Sequence, residues 1–258
     1  MLTDKTIEFK SEVNLHTYQG ILFRSETFAD YLSSRVKDRF EDYEGQQKLL
    51  DEFSELIKTD FHKEKLQEIF ATTEDPRDWK IGECLAECYL EDFHNSFFPY
   101  NSGRDSRKSN ASLPGADLVG FSLLEEEHRF TFGEVKTSSQ NVSPPNVIYG
   151  KTGLIFQLET LKSDKKERST LIKWLAYKIA DLPDEDNVKK IFKEALTTYL
   201  NDSEKIKLVG VLVRDTQPND MDYKNRFSSL IAGVPGDLRI DLLALYLPVK
   251  IDTLKNNF

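Results

Sequence analysis

Residues 113–140 read LPGADLVGFSLLEEEHRFTFGEVKTSSQ, two runs rich in apolar, β-branched and aromatic residues separated by an acidic break. Ala116–Leu124 and Arg129–Thr137 are predicted strands, and Glu125–His128 the hairpin that joins them. Side chains on a strand repeat with period two, so Glu134 and Lys136 share one face while Val135 points to the other, apolar face. The first strand runs away from Asp117 and the second runs back, which returns Glu134 to the neighbourhood of Asp117. Two carboxylates brought together repel each other unless a cation neutralises them. A hard divalent ion such as Mg²⁺, with Mn²⁺ able to substitute, suits carboxylate oxygens, waters and a substrate phosphate. Lys136 beside them can hold a water or offset charge developing on phosphorus. These are the parts that metal-assisted hydrolysis of a phosphodiester needs.

The tripeptide alone carries little weight. An acid two residues before a lysine recurs at Glu8/Lys10, Asp78/Lys80, Asp164/Lys166 and Asp222/Lys224, as expected by chance in a chain this charged. Context separates Glu134 and Lys136 from the rest: an apolar alternating strand, a hairpin partner that opens PGAD, and a preceding helix that carries GECLAE.

Outward from the hairpin, WKIGECLAECYLEDF keeps Ile81, Leu85, Tyr89 and Phe93 on or near one face and reads as a helix over 79–93. A polar loop follows with Arg104, Arg107 and Lys108, placed ahead of Asp117 where phosphate contacts would help. Helices are expected over Gly153–Lys162, Arg168–Ala180 and Val188–Leu200, and strands over Leu208–Val213 and Arg239–Val249. The run KSDKKER at 162–168 is expected to be an exposed linker. On the N-terminal side, Thr6–Phe23 suggests short strands and a helix-rich stretch follows, ended by the proline-bearing turn at 72–78. The chain divides, on this reading, into an N-terminal strand and helical extension over 1–75, packing on a partner or on the core, and a mixed α/β domain over 76–258.

Composition narrows the function classes. Hydrophobic residues make up 39% and charged residues 31% of 258 residues, which excludes a collagenous or wholly disordered chain. No apolar run reaches the ~18 residues of a membrane span, and the first residues lack a secretory pattern, so residence in the cytoplasm without membrane contact is expected. Cys84 and Cys88, four apart on one helix face, are expected to be reduced core thiols. His16, His62, His94 and His128 show no zinc-ligand spacing. No phosphate-binding glycine fingerprint occurs, so no nucleotide cofactor is expected and any motor activity belongs to a partner. A net charge of −9 argues against gripping nucleic acid by bulk electrostatics.

PGAD, then GEVK with Glu134 seventeen residues after Asp117, preceded by the IGECLAE helix, resembles the PD-(D/E)XK nuclease superfamily. The resemblance implies a restriction-endonuclease-like core, a mixed central sheet flanked by helices. It implies a metal-dependent nuclease in which Asp117, Glu134 and Lys136 are catalytic. Glu83 on the helix would complete a metal site made with Asp117, Glu134 and the Val135 carbonyl, with Glu87 one turn later as the other choice. Gln157, in GLIFQLETL, resembles the polar residue that several branches place beside the lysine. Pro114 departs from the pattern by standing three residues before the aspartate. More narrowly, LPGADLVGF, FGEVKTSSQ and GLIFQLETL are similar to the HamA family, the nuclease-like subunit of the Hachiman anti-phage system. That resemblance is close over 79–162 and implies a nuclease acting on DNA beside a helicase partner, HamB, with endonuclease and exonuclease modes both open. A catalytically inert scaffold of a helicase complex, or a nuclease of the same chemistry acting on RNA or in restriction, stand as alternatives.

Overall fold

Every residue of the run KLVGVLVR at 207–214 is buried, as a strand covered on both faces requires. The computed structural model describes residues 4–71, 75–105 and 115–257. In chain order, β1 (Lys5–Val13) and β2 (His16–Phe23) form a hairpin. Next come α1 (Ser25–Tyr31), a π-helical turn over Leu32–Val36, α2 (Lys37–Phe40), α3 (Tyr43–Glu52), α4 (Asp60–Phe70) and the long α5 (Asp78–Phe93). The short β3 (Ser96–Phe97) precedes β4 (Leu118–Leu124) and β5 (Glu127–Ser138). Helices α6 (Leu154–Ser163), α7 (Lys165–Ile179) and α8 (Asn187–Asn201) then cross to β6 (Lys207–Arg214), and α9 (Lys224–Ile231) leads to β7 (Arg239–Tyr246).

Among the described residues the strands make one sheet in the order β1-β2-β7-β6-β5-β4-β3. Its centre, β2, β7, β6 and β5, is parallel, and antiparallel neighbours flank it on both sides. Period-two alternation divides the core in two. Val209, Val211 and Val213 face α1, α2 and α5, where Phe28, Leu85 and Tyr89 pack. Leu208 and Leu212 face α6 to α9, where Leu154, Leu158, Leu175 and Phe227 pack. This is the mixed sheet flanked by helices that the sequence predicts, consistent with a restriction-endonuclease-like core.

Several expected boundaries move for local reasons. β4 starts at Leu118, which leaves Asp117 just outside it. The hairpin loop shortens to Glu125 and Glu126, both with positive φ of 51° and 66°, the backbone sign that a tight two-residue hairpin uses. The expected linker at 162–168 is instead mostly helix: the Asp164 carboxylate accepts the Lys166 and Glu167 amides and starts α7. Arg168, inside that run, is fully buried on Glu204. β7 ends at Tyr246, two residues before Pro248.

Residues before the expected boundary near 75 contribute two strands to the sheet, while Phe28, Tyr31 and Leu32 join the core cluster around α5. In contrast α4 buries no residue, and Leu49, Phe53, Leu56, Phe61 and Ile69 stay exposed around α3 and α4. Cys84 and Cys88 are free and buried, and burial pushes the Cys88 thiol up to about 12. No helix among the described residues is long and apolar enough to cross a membrane.

Candidate active site

Leu118 of β4 pairs with Gly133 of β5, and β5 continues past that point to Ser138 with β6 on its other side. The Val135 amide there has no β4 partner, and Asp117 fills the gap: its Oδ2 accepts the Val135 N–H at 2.9 Å. The strand carrying Glu134 and Lys136 therefore fixes the aspartate with its own backbone. Lys136 Nζ donates to Glu134 Oε1 on the face they share. The Glu134 and Asp117 carboxyl groups lie close enough to act on each other's ionisation.

Helix α5 delivers the third carboxyl group. At Gly82 the helix crosses β5 so closely that a Cβ would lie 2.2 Å from Thr137 Oγ1. The glycine is thus a contact requirement of the IGEC stretch, and it sets Glu83 beside the end of β4. Glu83 and Asp117 both line a cavity of about 400 Å³ between α5 and α7. Lys80, one turn earlier, donates to Glu83 Oε2 at 3.3 Å and to Ser102 Oγ at 3.4 Å. Glu87 also reaches the cavity wall, but Arg39 Nε holds it at 3.3 Å, and the same guanidinium pairs with Glu91 and donates to the Phe98 carbonyl at 3.0 Å.

Burial and mutual repulsion act together on these acids. Desolvation first, then the Asp117 charge, pushes Glu83 up to about 8 against the pull of Lys80. The same two causes push Glu134 up to about 7 against Lys136. Asp117 is raised by burial, opposed by the Val135 amide and the charges of Lys136 and Lys80. Burial disfavours the Lys80 cation, yet Glu83, Cys84 and Glu87 outweigh it and raise that group. Carboxyl groups this reluctant to ionise together would give up their protons far more readily beside a divalent cation.

The donor set fits such an ion in kind. Asp117, Glu134 and Glu83 offer hard carboxylate oxygens, and the Val135 carbonyl lies between Glu134 and Lys136 in the chain. It is not a closed cage as it stands: among the described residues no three His, Cys, Asp or Glu side chains are grouped to hold a metal. Two of the three acids are turned to lysines, Glu134 to Lys136 and Glu83 to Lys80.

The other sequence candidates lie elsewhere. Gln157 sits on α6 and donates its amide to the Lys151 carbonyl at 2.7 Å. Arg104 makes a two-pronged ion pair with Asp42, 2.6 Å on each arm, and stands over the Tyr100 ring. Arg107 and Lys108 lie outside the described residues. Sequence reasoning missed Lys80, although its spacing of three before Glu83 on a helix was a usable signal. Arg39, fifty-two residues before Glu91, had none. Trp79, Tyr100 and Trp174, which line the cavity with Asp117, come from separate segments and were equally hidden.

No curated protein matches this sequence. A family model described as HamA matches residues 2–258, essentially the whole chain that carries the Asp117, Glu134 and Lys136 arrangement, and the chain belongs to the HamA family.

Proposed function

We propose that this chain is a Mg²⁺-dependent DNA nuclease, an endonuclease that hydrolyses phosphodiesters as the effector subunit of an anti-phage complex with a HamB-like helicase. Membership of the HamA family supports a role in Hachiman-type defence. The observation that carries the nuclease reading is the Asp117 carboxylate anchored on the Val135 amide, with Glu134 and Lys136 flanking that amide. Glu83, Asp117, Glu134 and the Val135 carbonyl would hold the metal, and it would supply Lewis-acid stabilisation of the scissile phosphate and a more acidic water.

The chain's own groups have separable tasks. The Val135 amide orients Asp117 and makes its ionised form less costly. Lys136 carries a proton-rich head on the face of Glu134, where it can hold a water against phosphorus and offset charge on the phosphoryl oxygens in the transition state. Lys80 keeps Glu83 at the cavity wall. With a net charge of −9, the chain lacks the bulk electrostatics for tight non-specific DNA binding, which supports delegation of DNA capture to a helicase subunit.

The test is nicking of covalently closed circular DNA by the purified chain, alone and with its helicase and ATP, in Mg²⁺ or Mn²⁺. Cleavage that disappears in Lys136→Ala supports the reading, and undiminished cleavage in that variant overturns it. A second reading, an inert nuclease-fold scaffold, draws on the lysine pairing of Glu134 and Glu83. It predicts no divalent-ion binding that depends on Asp117.

A further inference from the structure

The chain has two tryptophans, Trp79 and Trp174, and both line the cavity that Glu83 and Asp117 share. They arrive from opposite sides, Trp79 on the first turn of α5 and Trp174 in the middle of α7. Tyr100 adds a third ring, edge-on to Trp174 with centroids 5.4 Å apart and planes at 85°. These rings are held in place: Trp174 Nε1 donates to Asp105 Oδ2 at 2.8 Å, and Lys178 pairs with the same carboxylate. Trp79 is 36% exposed.

Size and charge together select the occupant. A space of about 400 Å³ lies in the range of small-molecule sites, ~300–1,000 Å³, and suits one nucleotide unit. A base inside a duplex has both faces covered by its neighbours, so it offers nothing to an aromatic wall. An unpaired base does, and stacking on Trp or Tyr is tolerant of sequence. The lining is also poor in cations, with Lys80 set among Glu83, Glu87, Asp105, Asp117 and Glu167. Backbone tracking of a duplex or of a single strand ordinarily draws on a basic groove; this lining lacks one, so ring stacking must supply the affinity, and a phosphate at the carboxylate end would need a divalent ion between it and the acids.

We propose that this aromatic cavity receives the base of an unpaired nucleotide in a strand, so that the chain acts on single-stranded or locally unpaired nucleic acid and not on intact duplex. The proposal rests on the nuclease reading for its cleavage consequences, but the binding step stands apart from it. A partner that unwinds duplex would supply substrate in the form the cavity takes.

The experiment has a binding arm and a cleavage arm. Because both tryptophans lie at the site, intrinsic fluorescence reports occupancy directly. The full chain is titrated in Ca²⁺ with a single-stranded 12-mer, the blunt duplex of the same sequence, and a mononucleotide. The proposal expects quenching by the single strand at least tenfold tighter than by either of the others. It expects Trp79→Ala and Trp174→Leu to weaken single-strand binding about 5- to 100-fold, with Trp174→Phe retaining most of it. Equal affinity for duplex, unchanged binding in both Trp79→Ala and Trp174→Leu, or a mononucleotide as tight as the 12-mer would overturn it, the last pointing to a free-nucleotide site. In Mg²⁺ the same substitutions should raise KM for single strands far more than they lower kcat. Single-strand binding without any cleavage would remove the nuclease reading and leave the base site standing; cleavage of intact duplex as fast as of single strands would do the reverse.

Discussion

The Val135 amide donates to Asp117 Oδ2 at 2.9 Å, so the strand that presents Glu134 and Lys136 also fixes the acid that lies opposite them. Asp117 stands just before β4 begins, beside a stretch of β5 that β4 does not cover, and it accepts from the edge of β5 as a strand residue would. The same arrangement crowds negative charge, which Lys136 and Lys80 partly offset.

Lys136→Ala and Glu134→Gln should each lower the rate of phosphodiester cleavage by at least about 100-fold, a typical loss when a group that stabilises transition-state charge is removed. Circular dichroism and partner co-purification should be unchanged. Glu134→Gln should also raise the metal-free melting temperature above pH 7, since it removes a buried acid that Asp117 repels.

Glu83→Gln should abolish metal-dependent activity, whereas Glu87→Gln should retain most of it. Glu87 is committed to Arg39, while Glu83 faces the cavity with only a lysine at 3.3 Å. Parallel cleavage assays on the two variants check which glutamate serves the ion. Arg39→Met, by contrast, should cost about 3–5 kcal/mol of stability in a denaturant titration, because it strands Glu87 as a buried charge, while Glu91 keeps its pair with Arg35.

Without divalent metal, stability should fall as pH rises. Glu83 and Glu134 have folded-state values near 8 and 7, above those of an unfolded glutamate, so between about 4.5 and 8 the folded chain binds more protons than the unfolded one. That stabilising contribution is complete below the unfolded value and is lost as pH passes through 7 to 8. Melting curves from pH 5 to 8.5 should show a smaller decline in the Glu83→Gln/Glu134→Gln double variant, and Mg²⁺ should stabilise the natural sequence most at the alkaline end.

Gly82→Ala should destabilise the chain by about 1–3 kcal/mol and reduce activity by moving α5 away from β5, because its Cβ meets Thr137 Oγ1. Thr137→Ala removes that oxygen, so the double variant should recover much of both losses, which a double-mutant cycle measures.

Local patterning made the centre of the fold legible. The alternation in 116–137 gave the hairpin and put Glu134 and Lys136 on one face, and Gly82 with Glu83 marked the helix that meets it. The remainder depended on contacts distant in sequence. Trp174 reaches the cavity from α7 and Arg39 reaches Glu87 from α2, and no periodicity encodes either meeting. Arg104 looked free for phosphate because its partner, Asp42, lies sixty-two residues earlier. The linker expected at 162–168 failed for a nearer reason: a helix cap at Asp164 outweighs a run of charge.

The central claim is that Asp117, Glu134 and Glu83 close around one divalent cation. Isothermal titration of Mn²⁺ into the metal-free chain, beside Asp117→Asn and Glu134→Gln, measures it most directly. The account predicts one site per chain in the natural sequence, with proton release near pH 7 and loss of that site in both variants. Absence of binding, or binding that survives Asp117→Asn intact, would contradict it.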